Sequence, residues 1–281
     1  MPCKYIYNEI MEVPMIRIIT DSLCDLTMDY AKELNIDIMP LTVRFGEDDF
    51  KCGIDLTNEA FYDKLTNDSN NPSTAAVNPF EFEEIFKKYI DADDEVVAVL
   101  FSKYMSATFQ SASIAAENIN SDRLYLIDCE TGAMGQGLLV ETAVTLRDEG
   151  KSAKEIADTI QALLKKTATY IVVDSLEYLK RGGRMKVHPV LQVIADGAKP
   201  IDKVKGKKSA NAWLINKLKD QPADENYKLV IGHSNAPERA KAFEEQLREA
   251  GIKNEILTTC IGPVVGTHIG PNCLGIGYII K

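Results

Sequence analysis

The chain is poor in the residues that build metal and redox centres. It has only three histidines, and its six cysteines (Cys3, Cys24, Cys52, Cys129, Cys260 and Cys273) form no C-x-x-C pair. The ligand spacings of structural zinc are therefore missing, and reduced thiols in a cytoplasmic protein are the expectation. Basic charge is also scarce: 32 Lys and Arg stand against 42 Asp and Glu, a formal net charge of -10. A nucleic-acid partner is excluded on that ground, because such partners demand concentrated positive charge. The one local exception is Lys203 to Lys208, which reads as a solvated turn or as a dock for an acidic protein or a phosphate. No apolar run has the length of a membrane span, and no export signal opens the chain, so a protein without an integral membrane segment is expected. The P-loop G-x-x-x-x-G-K-[ST], the dinucleotide fingerprint G-x-G-x-x-G and the nucleophile elbow G-x-S-x-G are all absent. A small-anion or nucleotide-binding enzyme and an α/β-hydrolase remain as alternatives without a signature. The hydrolase would have to use Ser22, Ser106 or Ser175 with His268 as base.

What is present is an ordinary globular composition, 45% apolar over 281 residues, enough for two cores. Ile16 to Thr20, Val96 to Leu100 and Leu124 to Ile127 are short apolar runs of the kind buried on both faces of a parallel sheet. Helices alternate with them. One covers Phe80 to Ile90 behind the cap Asn78, Pro79 and Glu81; another covers Gly137 to Glu149; a third follows the capping box Ser152 to Glu155 and extends to about Lys166. After Thr169 the pattern changes to strands at Tyr170 to Val173, Lys228 to Ile231, Glu255 to Thr259 and Gly275 to Ile280, separated by long irregular connections and fewer helices. The expected fold class is α/β with two α/β domains: an N-terminal one, 15–166, with a parallel central sheet flanked by helices, and a smaller C-terminal one, 167–281, with a mixed sheet. Residues 1–14 read as an extension.

Three segments carry candidate chemistry. Val96 to Leu100 runs into Phe101-Ser-Lys-Tyr-Met-Ser-Ala-Thr-Phe-Gln110 and then a helix, and ligands of open α/β sheets bind beyond such strand ends. Ser102, Ser106 and Thr108 offer hydroxyls that could hold a carboxylate or phosphate, or that could simply cap the helix. Thr74 lies in a similar polar turn, Asn70 to Ala76. Asp21 and Ser22 end the first strand, where Asp21 reads as a structural cap. The run from Gly262 to Gly277 holds five glycines and two prolines around Thr267-His268. It reads either as a shaped binding loop or as a tight connection between strands.

Taken together, Ile19-Thr-Asp-Ser22, Pro72-Ser-Thr74, Phe101 to Ala112, Asp174 to Arg184 and Gly262 to Pro271 resemble the DegV family of bacterial fatty-acid-binding proteins. The resemblance spans about Met15 to Lys281. It implies a two-domain protein without catalytic activity of its own or a cofactor, which encloses one long-chain fatty acid and presents the carboxyl group to a fatty acid kinase. Thr74 and Ser106 would hold the carboxylate with help from backbone N–H groups, and His268 would lie near it. Arg184 and Lys205 would belong to the face turned to the kinase or the new phosphate. The chain departs from the family pattern at Lys103, Ala107, Lys205 and Asn272. Which apolar residues line the tail cannot be read from periodicity, since each could equally be core.

Overall fold

The computed structural model describes residues 14–68, 70–174 and 188–281. In chain order the elements are β1 (Ile16–Asp21), α1 (Met28–Glu33), β2 (Ile36–Met39), β3 (Thr42–Phe45), β4 (Asp48–Lys51), α2 (Asn58–Asn67), β5 (Ser73–Ala75), α3 (Pro79–Asp91), β6 (Glu95–Leu100), α4 (Thr108–Ile119), β7 (Leu124–Asp128), α5 (Met134–Asp148) and α6 (Ala153–Leu163). They are followed by β8 (Thr167–Val172), β9 (His188–Ile194), β10 (Gly197–Val204), α7 (Gly206–Asp220), β11 (Leu229–His233), α8 (Pro237–Glu249), β12 (Ile256–Cys260), α9 (Pro263–Ile269) and β13 (Leu274–Ile279).

The fold is α/β, as expected. Strands β2-β1-β6-β7 form a four-stranded sheet whose pairings are all parallel, with Ile18 set between Ile36 and Val97. Its central strand β6 has no exposed residue from Val96 to Leu100, which is why the sequence there is a continuous apolar run without alternation. The second sheet, β10-β9-β8-β13-β11-β12, has six strands and is mixed: β11 and β12 pair in parallel, and the other pairings are antiparallel. A small antiparallel sheet, β4-β3-β5, was not anticipated from the sequence; its strands are three or four residues long, too short for a period-2 signal.

Capping fixed the helices that the sequence marked most clearly. Asn78 Oδ1 accepts from Glu81 N at 3.0 Å while Asn78 N donates to Glu81 Oε2 at 3.2 Å. Ser152 and Glu155 repeat the arrangement at the start of α6. Helix α5 lies between the two larger sheets, and its first residue, Met134, decides how closely they approach. A side chain at Gly277 would put its Cβ 2.8 Å from the Met134 backbone, so β13 needs glycine there. One continuous set of buried side chains runs from Ile18 and Val97 through Leu138 and Leu139 to Val230 and Ile279.

The connections after Thr169, expected to hold fewer helices than the first half, contain α7, α8 and α9 among the described residues. One expectation changes. The run after Gly262, read as a loop, begins with α9: Pro263 takes the first helical position, where its missing N–H costs nothing. Gly266 inside that helix serves packing, since a Cβ there would sit 2.7 Å from both Phe61 Cε1 and Tyr62 Oη.

Candidate functional site

Where the three sheets meet, the chain encloses a cavity of about 460 Å³, within the ~300–1,000 Å³ usual for small-molecule sites. The parallel-sheet half contributes Leu23, Phe101, Met105 and the Gly132-Ala133 step before α5; β5 and the residue after it contribute Thr74, Ala75 and Ala76. The mixed sheet supplies Ile171, Leu191, Val193 and Ala198, and α9 supplies Val264, Val265, His268 and Ile269.

Among the described residues, the polar side chains on this wall are those of Thr74, Ser106 and His268. The sequence had singled out the same three from separate segments, and the fold brings them to one cavity. They mark its open side: Thr74 and His268 are exposed and Ser106 half-buried, whereas Leu23, Ala133, Ile171 and Leu191 are at most 3% exposed. Thr74 is carried on β5, opposite Val43 of β3. His268 stands in the last turn of α9. Ser106 ends the loop between β6 and α4. Its Oγ accepts from Thr108 N at 3.2 Å and lies 3.0 Å from Thr108 Oγ1, a local turn bond just ahead of α4, whose N-cap is Ala107.

That loop is fixed from below. Ser102 is fully buried; its Oγ donates to the Ala195 carbonyl in the turn between β9 and β10, and its own carbonyl accepts from Met105 N at 3.0 Å and Ser106 N at 3.1 Å. Ser102 thus belongs to the frame that positions Ser106. Lys103 points elsewhere, 3.6 Å from Asp128, and Ala107 lines the cavity. Asn272 has φ +64°, a backbone state that asparagine tolerates better than most residues.

Behind the cavity lie two buried carboxyl groups. Asp21 accepts from Phe101 N at 2.8 Å, Leu23 N at 3.0 Å and Gln136 Nε2 at 3.1 Å, the structural cap that the sequence indicated. Burial raises its pKa to about 6 against the opposing pull of those donors. Asp25 is pushed higher, to about 8, by burial first and by the nearby Asp21 charge, with the Gly262 N–H opposing. Sequence reasoning passed over Asp25, because an acid in a turn after a strand has no signature of burial.

The remaining candidates lie elsewhere. Lys205 is exposed at the start of α7, outside the cavity wall. Arg184 and Ser175 lie outside the described residues. Ser22 Oγ accepts from Leu41 N at 3.0 Å and lines a neighbouring cleft, apart from His268. Among the described residues no group of three or more His, Cys, Asp or Glu is arranged to hold a metal, and no helix is long and apolar enough to cross a membrane.

An apolar cavity with few polar side chains, built on an α/β frame, has the make-up to hold an amphipathic small molecule. Comparison with known proteins gives that class a family. The model described as "Uncharacterised protein, DegV family" matches residues 15–281, and the chain belongs to the DegV family. A DegV domain-containing protein of Caldanaerobacter subterraneus subsp. tengcongensis is 33% identical over 275 residues, covering 94% of this chain and 98% of its own. Among solved structures, a fatty-acid-binding DegV family protein from Thermus thermophilus superposes with a TM-score of 0.86 at 23% identity, covering 95% of this chain and all of that one. DegV of Bacillus subtilis, described as a fatty acid binding protein, superposes with a TM-score of 0.82 at 26% identity, covering 96% and 100%.

Proposed function

We propose that this chain binds one long-chain fatty acid, with the tail in the 460 Å³ cavity between units 15–166 and 167–281 and the carboxylate at its open side. The observation that carries the reading is the distribution of polarity: apolar side chains throughout, with Thr74, Ser106 and His268 at the rim. An extended chain of methylenes suits such a wall, and a single acid group suits so few donors. The likeness to the Bacillus subtilis fatty-acid-binding protein supports the same ligand class. The start of α4 adds to the site, because the first-turn amides of a helix lack intrahelical partners and favour an anion.

In this reading the protein is a carrier in the cytoplasm, and it presents the carboxyl group to a fatty acid kinase that makes the acyl phosphate. Lys205 and Arg184 would lie on the face turned to that partner. The test has two arms. Native mass spectrometry of gently purified protein, followed by organic extraction, is expected to find one fatty acid per chain; a protein that comes empty and ignores added palmitate or oleate overturns the ligand. Loaded protein mixed with a fatty acid kinase is expected to support acyl-phosphate formation, and Lys205→Glu to slow it; unchanged turnover removes Lys205 from the partner face.

A further inference from the structure

A thin partition separates the apolar cavity from a polar cleft of about 400 Å³: Leu23 and Val264 line the former, and their chain neighbours Ser22 and Pro263 line the latter. Asp25 stands at this partition, 5% exposed, with φ +59°. Its Oδ1 accepts from Gly262 N at 2.8 Å, and its carbonyl accepts from Thr259 Oγ1. On the other side of the same peptide, Tyr62 Oη donates to the Ile261 carbonyl at 2.8 Å. These bonds grip the residues that lead into α9, and α9 carries Val264, Val265, His268 and Ile269 to the cavity.

The second oxygen of Asp25, Oδ2, is buried with no hydrogen-bond partner among the described residues. As a neutral acid Asp25 keeps the Gly262 contact through Oδ1 and leaves only a hydroxyl to satisfy. As a carboxylate it would hold a bare charged oxygen out of water, which is far more costly. Asp21, at the end of β1, opposes a second negative charge beside it, and the other carboxylates of the cleft are Asp29 from α1 and Glu59 from α2. The cation in that cleft, Lys32, is bonded to Asp29 at 2.9 Å. The remaining titratable neighbours, Cys24, Cys52, Tyr62 and Cys260, are thiols and a phenol that burial keeps neutral.

We propose that Asp25 is a positioning residue for the fatty-acid site: in its neutral form it pins the start of α9, and on ionisation it releases that wall of the cavity. Burial raises its pKa from 3.8 to about 8, so the neutral, seated form is fully favoured below about pH 4 and its advantage is lost as pH rises to about 8. The ligand in this inference rests on the fatty-acid reading; the movement of α9 does not.

The experiment compares the wild type with Asp25→Asn and Asp25→Gly. Asparagine retains the Oδ1 acceptor, cannot ionise and tolerates positive φ; glycine keeps the backbone state but removes the grip. Palmitate affinity is measured from about pH 6.5 to about pH 9.5, and amide exchange of a peptide spanning 261–270 is followed in the ligand-free protein over the same range, corrected for intrinsic exchange. The wild type is expected to weaken about tenfold towards the alkaline end and to lose protection in that peptide. Asp25→Asn should hold both constant once the ligand's own titration, common to both proteins, is subtracted. Asp25→Gly should show the weakened, unprotected state at every pH. Equal pH dependence in wild type and Asp25→Asn overturns the proposal, as does full protection in Asp25→Gly. If no form binds palmitate yet protection follows this pattern, the fatty-acid reading fails and the role of Asp25 in seating α9 stands.

Discussion

The division of labour between tail and head group can be tested by a comparison of two losses. The double variant Thr74→Ala with Ser106→Ala removes both hydroxyls from the cavity rim and leaves the apolar wall intact. A neutral hydrogen bond contributes about 1 kcal/mol net, so the pair is worth about 2 kcal/mol, or about 30-fold in Kd. The true value should fall at or below that figure, because Ser106 Oγ already has Thr108 Oγ1 at 3.0 Å as a competing partner for its hydrogen. Shortening the ligand from palmitate to decanoate removes six methylenes at about 0.8 kcal/mol each, about 5 kcal/mol, or several thousandfold. Isothermal titration or displacement of a fluorescent acid, at one pH and below the aggregation threshold of each ligand, measures both. Ser106→Ala also takes the acceptor from Thr108 N, a local hydrogen bond worth about 1 kcal/mol, so urea unfolding of the unliganded variants must accompany the titrations. If the double variant loses as much affinity as decanoate does, or if decanoate binds within tenfold of palmitate, the tail is not the main source of binding and the reasoning fails.

Two further outcomes follow from the buried groups around the site. Gly266→Ala should lower stability by about 1–3 kcal/mol despite the gain of about 1 kcal/mol in helix propensity, because the new Cβ meets Phe61 and Tyr62 at 2.7 Å and both rings are fully buried; a raised Tm refutes that packing. For Asp21, whose pKa burial raises from 3.8 to about 6, the unfolded chain gives up its proton first as pH rises, so stability is greatest below about pH 4 and declines through about pH 6. A shift of that size is worth about 3 kcal/mol. Asp21→Asn should remove its share of this decline in urea titrations and leave the shallower decline due to Asp25, which runs from about pH 4 to about pH 8; an unchanged profile refutes the assignment.

How much of this was legible in the sequence depended on how far each signal reached. Asn78 with Glu81 and Ser152 with Glu155 are local devices, closed within three residues, and the helices behind them formed where expected. The run Val96 to Leu100 was equally plain, because burial on both faces leaves no polar residue to confuse it. The glycines from Gly262 onward were not legible in this way. A glycine admits close approach by any backbone or side chain, and composition does not say which; Gly266 and Gly277 turned out to admit Phe61, Tyr62 and Met134, all distant in the chain. Thr74, Ser106 and His268 were found through a family resemblance spread over five segments. Nothing local links them, and only the meeting of β5, the β6–α4 loop and α9 puts them on one cavity.

The same contrast separates the polar groups at the cavity rim from those that hold the frame. Ser102, Asp21 and Asp25 lie closest to where an enzyme of this architecture would keep its nucleophile or its acids, yet each is bonded to the main chain of another segment: Ser102 to Ala195, Asp21 to Phe101, and Asp25 to Gly262. The Ser102 and Asp25 bonds join the parallel-sheet half to the β9–β10 turn and to the start of α9, and the Asp21 bond ties β1 to the loop after β6, so the polar interior serves to fix the walls of an apolar space relative to one another. A ligand held mainly by its tail benefits from that arrangement, since dispersion and burial reward a wall of fixed shape while making few demands on the chemistry at its mouth. Under the proposed function, rigid polar fasteners behind the wall and three hydroxyl or imidazole groups at the rim would be complementary: the first would set the shape that the tail fills, and the second would choose which end of the molecule remains at the surface.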